Sequence, residues 1–157
     1  MLNGDGLRVV LWVSGCEHYC KNCQNPETHD PGSGIPFINE TLDELLEALG
    51  EDHIQGLTIS GGHPLDPRNF EDVLALVKEV KEKFPTKDIW LYTGYLYEEL
   101  YYREISRILL YIDVLVDGPY IEEQRDITLA FMGSRNQRLI DVKETLKQGK
   151  IITLQND

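Results

Sequence analysis

Short apolar runs, each ending in a loop or a glycine-containing turn, alternate with stretches of helical periodicity along almost all of this 157-residue chain. Residues 7–13, 56–60, 88–92 and 112–117 are rich in β-branched, aromatic and other apolar side chains and read as strands. The first delivers the chain into a cysteine-bearing loop. The next three stop at Gly61-Gly62, Thr93-Gly94 and Gly118. Between the first two, Thr41-Leu-Asp-Glu44 has capping-box spacing, and Leu42, Leu45, Leu46 and Leu49 form one stripe ahead of Gly50. Asp66-Pro67 reads as an N-cap followed by a first-turn proline, with Phe70, Val73, Leu74, Val77 and Val80 continuing at helical spacing. A tyrosine-rich helix is expected over roughly residues 96–110. From Gly118 to Asn136 the pattern is irregular; 137–142 reads as a last strand and 143–148 as a short helix.

Strands alternating with helices imply right-handed crossovers, and therefore a mostly parallel sheet with the helices on the outside. Four or five such units are too few for an eight-unit barrel. The expected fold is thus α/β, a partial and open (β/α) barrel forming one domain over residues 1–157. Ligands of such sheets sit at the carboxyl ends of the strands. The cysteine loop, Gly61-Gly62, Thr93-Gly94 and Asp117-Gly118 should then share one rim.

With 41% hydrophobic residues the chain has the makings of a packed core, while no apolar run approaches the roughly 20 residues that span a bilayer. The start, Met1 to Gly6, has neither the basic nor the apolar stretch of a signal peptide, which places the protein in the cytoplasm. Fifteen Lys and Arg against 27 Asp and Glu give a formal net charge of −12, so a phosphate backbone is repelled and nucleic acid is excluded as a direct ligand. Three cysteines without distant partners do not make a secreted disulfide framework.

Those cysteines, Cys16, Cys20 and Cys23, fall within eight residues as Cys-x3-Cys-x2-Cys. Closed zinc sites and fully ligated cubane iron–sulfur clusters both take four protein ligands. Two explanations remain open: zinc with His18 or His29 as the fourth ligand, or a cubane held by three thiolates with one iron left for a substrate or cofactor. Zinc prefers two ligand pairs separated by a longer insert, whereas three ligands on one tight loop suit three corners of a cubane.

The chain resembles the radical S-adenosylmethionine enzymes, and within them the group that activates anaerobic (class III) ribonucleotide reductases. The resemblance rests on the cysteine spacing, on Asn3-Gly-Asp-Gly6, on residues 13–25, and on Gln55 to Gly62 with Pro64-Leu65. It continues through Lys87 to Trp90, Thr93-Gly-Tyr95, Asp113 to Gly118, Gly133-Ser134 and Asn136-Gln137. It implies a [4Fe-4S] cluster on Cys16, Cys20 and Cys23 and a bound S-adenosylmethionine. Reductive cleavage would give methionine and a 5′-deoxyadenosyl radical, which takes hydrogen from a C-terminal glycine of the reductase. Asn22, Cys23 and Gln24 match positions that line S-adenosylmethionine, and Gly61-Gly62 matches the turn that meets its amino end. Thr93 and Asp117 are further candidates on the rim. A flavodoxin-type electron donor and a homodimer are also implied.

Relatives of this kind carry Asp or Glu after the paired glycines, where this chain has His63. A neutral imidazole in place of a carboxylate should weaken S-adenosylmethionine by about fivefold, or roughly 1 kcal/mol. Gln24 stands where a tyrosine is frequent, and the chain begins almost directly at Asn3-Gly4, where relatives have further residues. Tyr92, Tyr95, Tyr97, Tyr101 and Tyr102 are read as packing and surface aromatics rather than a radical relay. Arg125, Arg135 and Arg138 are candidates for docking the reductase or an acidic donor. Two alternatives are an activase of another glycyl-radical enzyme of the pyruvate formate-lyase type and a non-catalytic zinc module. The absence of cysteines beyond the triad favours the reductase as partner.

Overall fold

The computed structural model describes residues 3–14, 37–101 and 103–154. Its strands are β1 (Arg8–Val13), β2 (Gly56–Gly61), β3 (Asp88–Tyr92), β4 (Val114–Asp117) and β5 (Arg138–Asp141). They form one five-stranded sheet in the order β1-β2-β3-β4-β5, and it is not closed. The first four strands are parallel neighbours, and β5 runs antiparallel to β4. Because sequential strands are also spatial neighbours, successive right-handed crossovers carry the helices over one face.

That face holds the main core. Leu57 and Ile59 of β2, Ile89 and Leu91 of β3, Leu115 and Ile140 meet apolar stripes from the helices. The helices are α1 (Asn39–Leu49), which contributes Leu45, Leu46 and Leu49, and α2 (Phe70–Lys83), with Phe70, Val73, Leu74, Val77 and Val80. The alternate residues of the same strands point the other way. There Trp90, Val114, Val116 and Leu139 pack with Met132, Leu129 and Phe131 from the connection between β4 and β5. Being covered on both faces, β3 and β4 read as nearly unbroken apolar runs, whereas β2 alternates Leu57 and Ile59 with the buried Thr58 and Ser60.

Local chemistry shifts several boundaries. Helix α1 begins at Asn39 rather than after a Thr41 cap; Thr41 sits in its first turn, and its Oγ1 accepts from the Ile38 amide at 3.4 Å. Asp66-Pro67 precedes α2 without capping it. The Asp66 carboxylate instead accepts from the Arg68 amide at 2.9 Å, a two-residue Asx turn, and Asn69 becomes the N-cap. The expected helix over 96–110 divides into a single-turn α3 (Tyr97–Leu100) and a 3-10 helix, Glu104–Tyr111. Extended backbone at Arg103 precedes the second piece. In that piece Ile105, Ile108 and Tyr111 face the core every third residue, the 3-10 repeat. The final helix, α4 (Val142–Gln148), is capped by Asp141 Oδ1 accepting from the Glu144 amide at 3.1 Å and stopped by Gly149 in the left-handed region. Among the described residues no helix is long and apolar enough to cross a membrane.

Candidate functional site

The carboxyl end of β1 lies against the carboxyl end of β2, with Val13 in register with Gly61. Gly61 has φ of 101°, and a Cβ there would stand 2.5 Å from the Val13 carbonyl oxygen. Only glycine tolerates both the dihedral and the approach. The next amide, Gly62 N–H, donates to that same Val13 carbonyl at 2.7 Å. The Gly61-Gly62 turn is thereby fastened to the last residues of β1. Ser14 follows, two residues before Cys16. Cys16, Cys20, Cys23, Asn22 and Gln24, with His18 and His29, lie outside the described residues. Among the described residues no group of three His, Cys, Asp or Glu could hold a metal ion.

His63 is 1% exposed, so it is a packed residue and not a solvent-facing one. Its Nε2 lies 2.7 Å from Thr93 Oγ1, and its ring meets that of Tyr95 with centroids 4.8 Å apart and a tilt of 60°. Thr93 Oγ1 also accepts from the Tyr95 amide at 3.1 Å. Arg103 completes the stack, with its guanidinium 4.7 Å from the centre of the Tyr95 ring. Thus the turn after β2 and the turn after β3, thirty residues apart, are joined through side chains. Gly61, Gly62, His63 and Thr93, four of the residues expected on the rim, do come together.

Asp66 closes this turn from behind. Its bond from the Arg68 guanidinium, Nε to Oδ1 at 2.8 Å and Nη2 to Oδ2 at 2.8 Å, holds the carboxyl below the usual carboxylate range, outweighing the burial that opposes ionisation. On the other face of the sheet, burial raises the Tyr92 hydroxyl well above its usual range, so it stays protonated and donates to the Phe131 carbonyl at 2.7 Å. This matches a packing role for Tyr92.

Asp117 is the last residue of β4. Its side chain is fully buried; Oδ2 accepts from the Tyr97 amide at 2.8 Å at the start of α3, and Oδ1 accepts from Arg138 Nε at 3.0 Å. These bonds cap the start of α3 from a distant strand end. Arg138 is accordingly engaged by Asp117 and Glu98 rather than held out for a partner. Sequence reasoning also passed over Gln137 and Asn136 as side chains with a task. Gln137 Oε1 accepts from the Gly133 and Ser134 amides and its Nε2 donates to the Gly118 carbonyl, while Asn136 Nδ2 donates to the Pro119 carbonyl. They clamp the two ends of the β4–β5 connection, and the place of Asn136-Gln137 in the resemblance was the sequence signal of it.

The chemistry of the donor set fits an iron–sulfur cluster: three thiols fall within eight residues of the segment that follows β1. A family model described as "4Fe-4S single cluster domain" matches residues 2–140. The chain is similar to the anaerobic ribonucleoside-triphosphate reductase-activating protein of Enterobacteria phage T4, with 46% identity over 88% of this chain and 86% of the relative. The proteins of the same name from Haemophilus influenzae and Vibrio cholerae are 44% and 46% identical, each over 87% of this chain and 89% of their own. No solved structure gives a significant match. By the family match and by these identities over most of its length, the chain belongs to the anaerobic ribonucleoside-triphosphate reductase-activating protein family, of the 4Fe-4S single cluster type.

Proposed function

We propose that this chain is the glycyl-radical activating enzyme of an anaerobic ribonucleotide reductase, working in the cytoplasm as one radical S-adenosylmethionine domain over residues 1–157. The observation that carries the proposal is the cysteine triad in the segment that follows β1, whose last residue, Val13, accepts a hydrogen bond from the Gly61-Gly62 turn. The names of the relatives support the partner, and the family description supports the cluster. An open, mostly parallel sheet with its turns on one rim is what a partial barrel of this type requires. When bound, the cluster and S-adenosylmethionine supply one-electron cleavage of the sulfonium bond, giving methionine and a 5′-deoxyadenosyl radical that takes hydrogen from a C-terminal glycine of the reductase.

The rest falls to the chain's own residues. Cys16, Cys20 and Cys23 hold the cluster and keep one iron free of protein ligands. Asn22, Cys23 and Gln24 line S-adenosylmethionine, and Gly61-Gly62 presents its backbone to the methionine amino end. His63 and Thr93 hold that turn in place through their mutual hydrogen bond. Asp117 supports the rim by fixing α3. A flavodoxin-type protein supplies the electron, and the enzyme works as a homodimer.

Anaerobic reconstitution tests this reading. The expected product is a brown protein with about four irons per chain that forms 5′-deoxyadenosine with a reductant and raises a glycyl-radical signal in the reductase. Zinc without iron, and no cleavage of S-adenosylmethionine, would favour the zinc module and overturn the proposal. Cleavage with a radical formed only in another glycyl-radical enzyme would reassign the partner.

A further inference from the structure

Asn69 occupies the N-cap of α2, and asparagine there ordinarily turns its side chain back to an amide of the first helical turn. This one makes no side-chain cap bond. Its Nδ2 instead donates to two carbonyls from different parts of the chain, Ser14 at 2.8 Å and His63 at 3.1 Å. Both partners are acceptors, so the amide nitrogen must be the atom that faces them. The Asn69 backbone is held as well: its amide donates to the Asp66 carbonyl at 2.8 Å, and its carbonyl accepts from Val73 at 3.0 Å.

We infer that Asn69 is a positioning residue for the cofactor site: its carboxamide, anchored on α2, ties the base of the cysteine loop at Ser14 to the Gly61-Gly62-His63 turn. The inference rests on the function proposed above. In that reading the cysteine loop would hold the cluster and the Gly61-Gly62 turn would meet the methionine amino end. Those two elements follow different strands, so their separation needs a fixed third point. The Gly62–Val13 hydrogen bond sets one contact between them, and Asn69 adds the second from a rigid helix.

The test compares the reconstituted wild-type protein with Asn69→Ser. Serine is an equally good N-cap and preserves α2, but it is too short to span both carbonyls. Asn69→Thr, which keeps the capping ability and is likewise too short to span both carbonyls, serves as the second variant should the first fail to fold. The expected result is a melting temperature close to wild type, a KM for S-adenosylmethionine raised about tenfold with kcat nearly unchanged, and an altered change in the reduced cluster's electron paramagnetic resonance spectrum on adding S-adenosylmethionine. Wild-type KM and spectrum in a folded, iron-loaded variant would overturn the inference alone. A wild-type protein that takes up no iron would overturn the function and this inference with it.

Discussion

His63 stands where the resemblance implies an acidic residue, and its surroundings show what the imidazole does there. The imidazole is packed on Tyr95 and bonded to Thr93 Oγ1, so it does for the fold what a shorter carboxylate does less well. His63→Asp should therefore act in two directions. A carboxylate beside the methionine ammonium should tighten S-adenosylmethionine by about fivefold, while loss of the ring contact and the hydrogen bond should lower stability by roughly 1–2 kcal/mol. Ligand titration and urea unfolding of the same variant check both parts. Unchanged affinity would show that position 63 does not face the ammonium. The sequence exposes the substitution but not its partner, because Thr93 lies thirty residues away and meets His63 only when two strand ends are side by side.

Among the elements, the junction of α2, β3 and α4 depends on one carboxylate. Asp113 Oδ2 accepts from Lys81 Nζ at 2.6 Å and from the Ile89 amide at 2.8 Å, and its Oδ1 lies 2.9 Å from Lys143 Nζ. Burial alone would raise its pKa; the two lysines and the amide more than offset this and hold it below the ordinary carboxylate value. A carboxyl with a lower pKa in the folded state stabilises the fold above its unfolded value of about 3.9, and that contribution is lost as pH falls through the lower folded value. We expect Asp113→Asn to cost about 1–3 kcal/mol at neutral pH and to flatten the acid limb of stability against pH, measured by urea unfolding at a series of pH values. Elements with long stripes, such as α2, were readable from periodicity. The starts of α1 and α2 were not, because Thr41 stands inside the first turn and accepts from the Ile38 amide, while Asp66 spends its carboxylate on an Asx turn that competes with capping.

Across the whole molecule the sheet carries two unlike faces. Helices cover one, and the β4–β5 connection covers the other from β3 to β5, where Phe131 meets Trp90 edge-on with centroids 5.0 Å apart. Phe131→Ala should lower stability by about 2 kcal/mol and weaken the near-ultraviolet circular dichroism of Trp90; an unchanged signal would argue against that packing. None of this second layer was visible in the irregular stretch after Gly118, since no period marks a loop whose few apolar residues fold back onto a sheet. By itself the sequence determined the alternation of strands and helices, the rim on which the glycine turns gather, and the cysteine triad with its family, because these depend on spacing along the chain. The tertiary structure alone decided that His63 joins Thr93, that Asp117 caps α3, and that Asn69 forgoes its own helix to bridge two turns. Each of those choices is a hydrogen bond between residues distant in sequence, and it takes the folded sheet to bring donor and acceptor within reach.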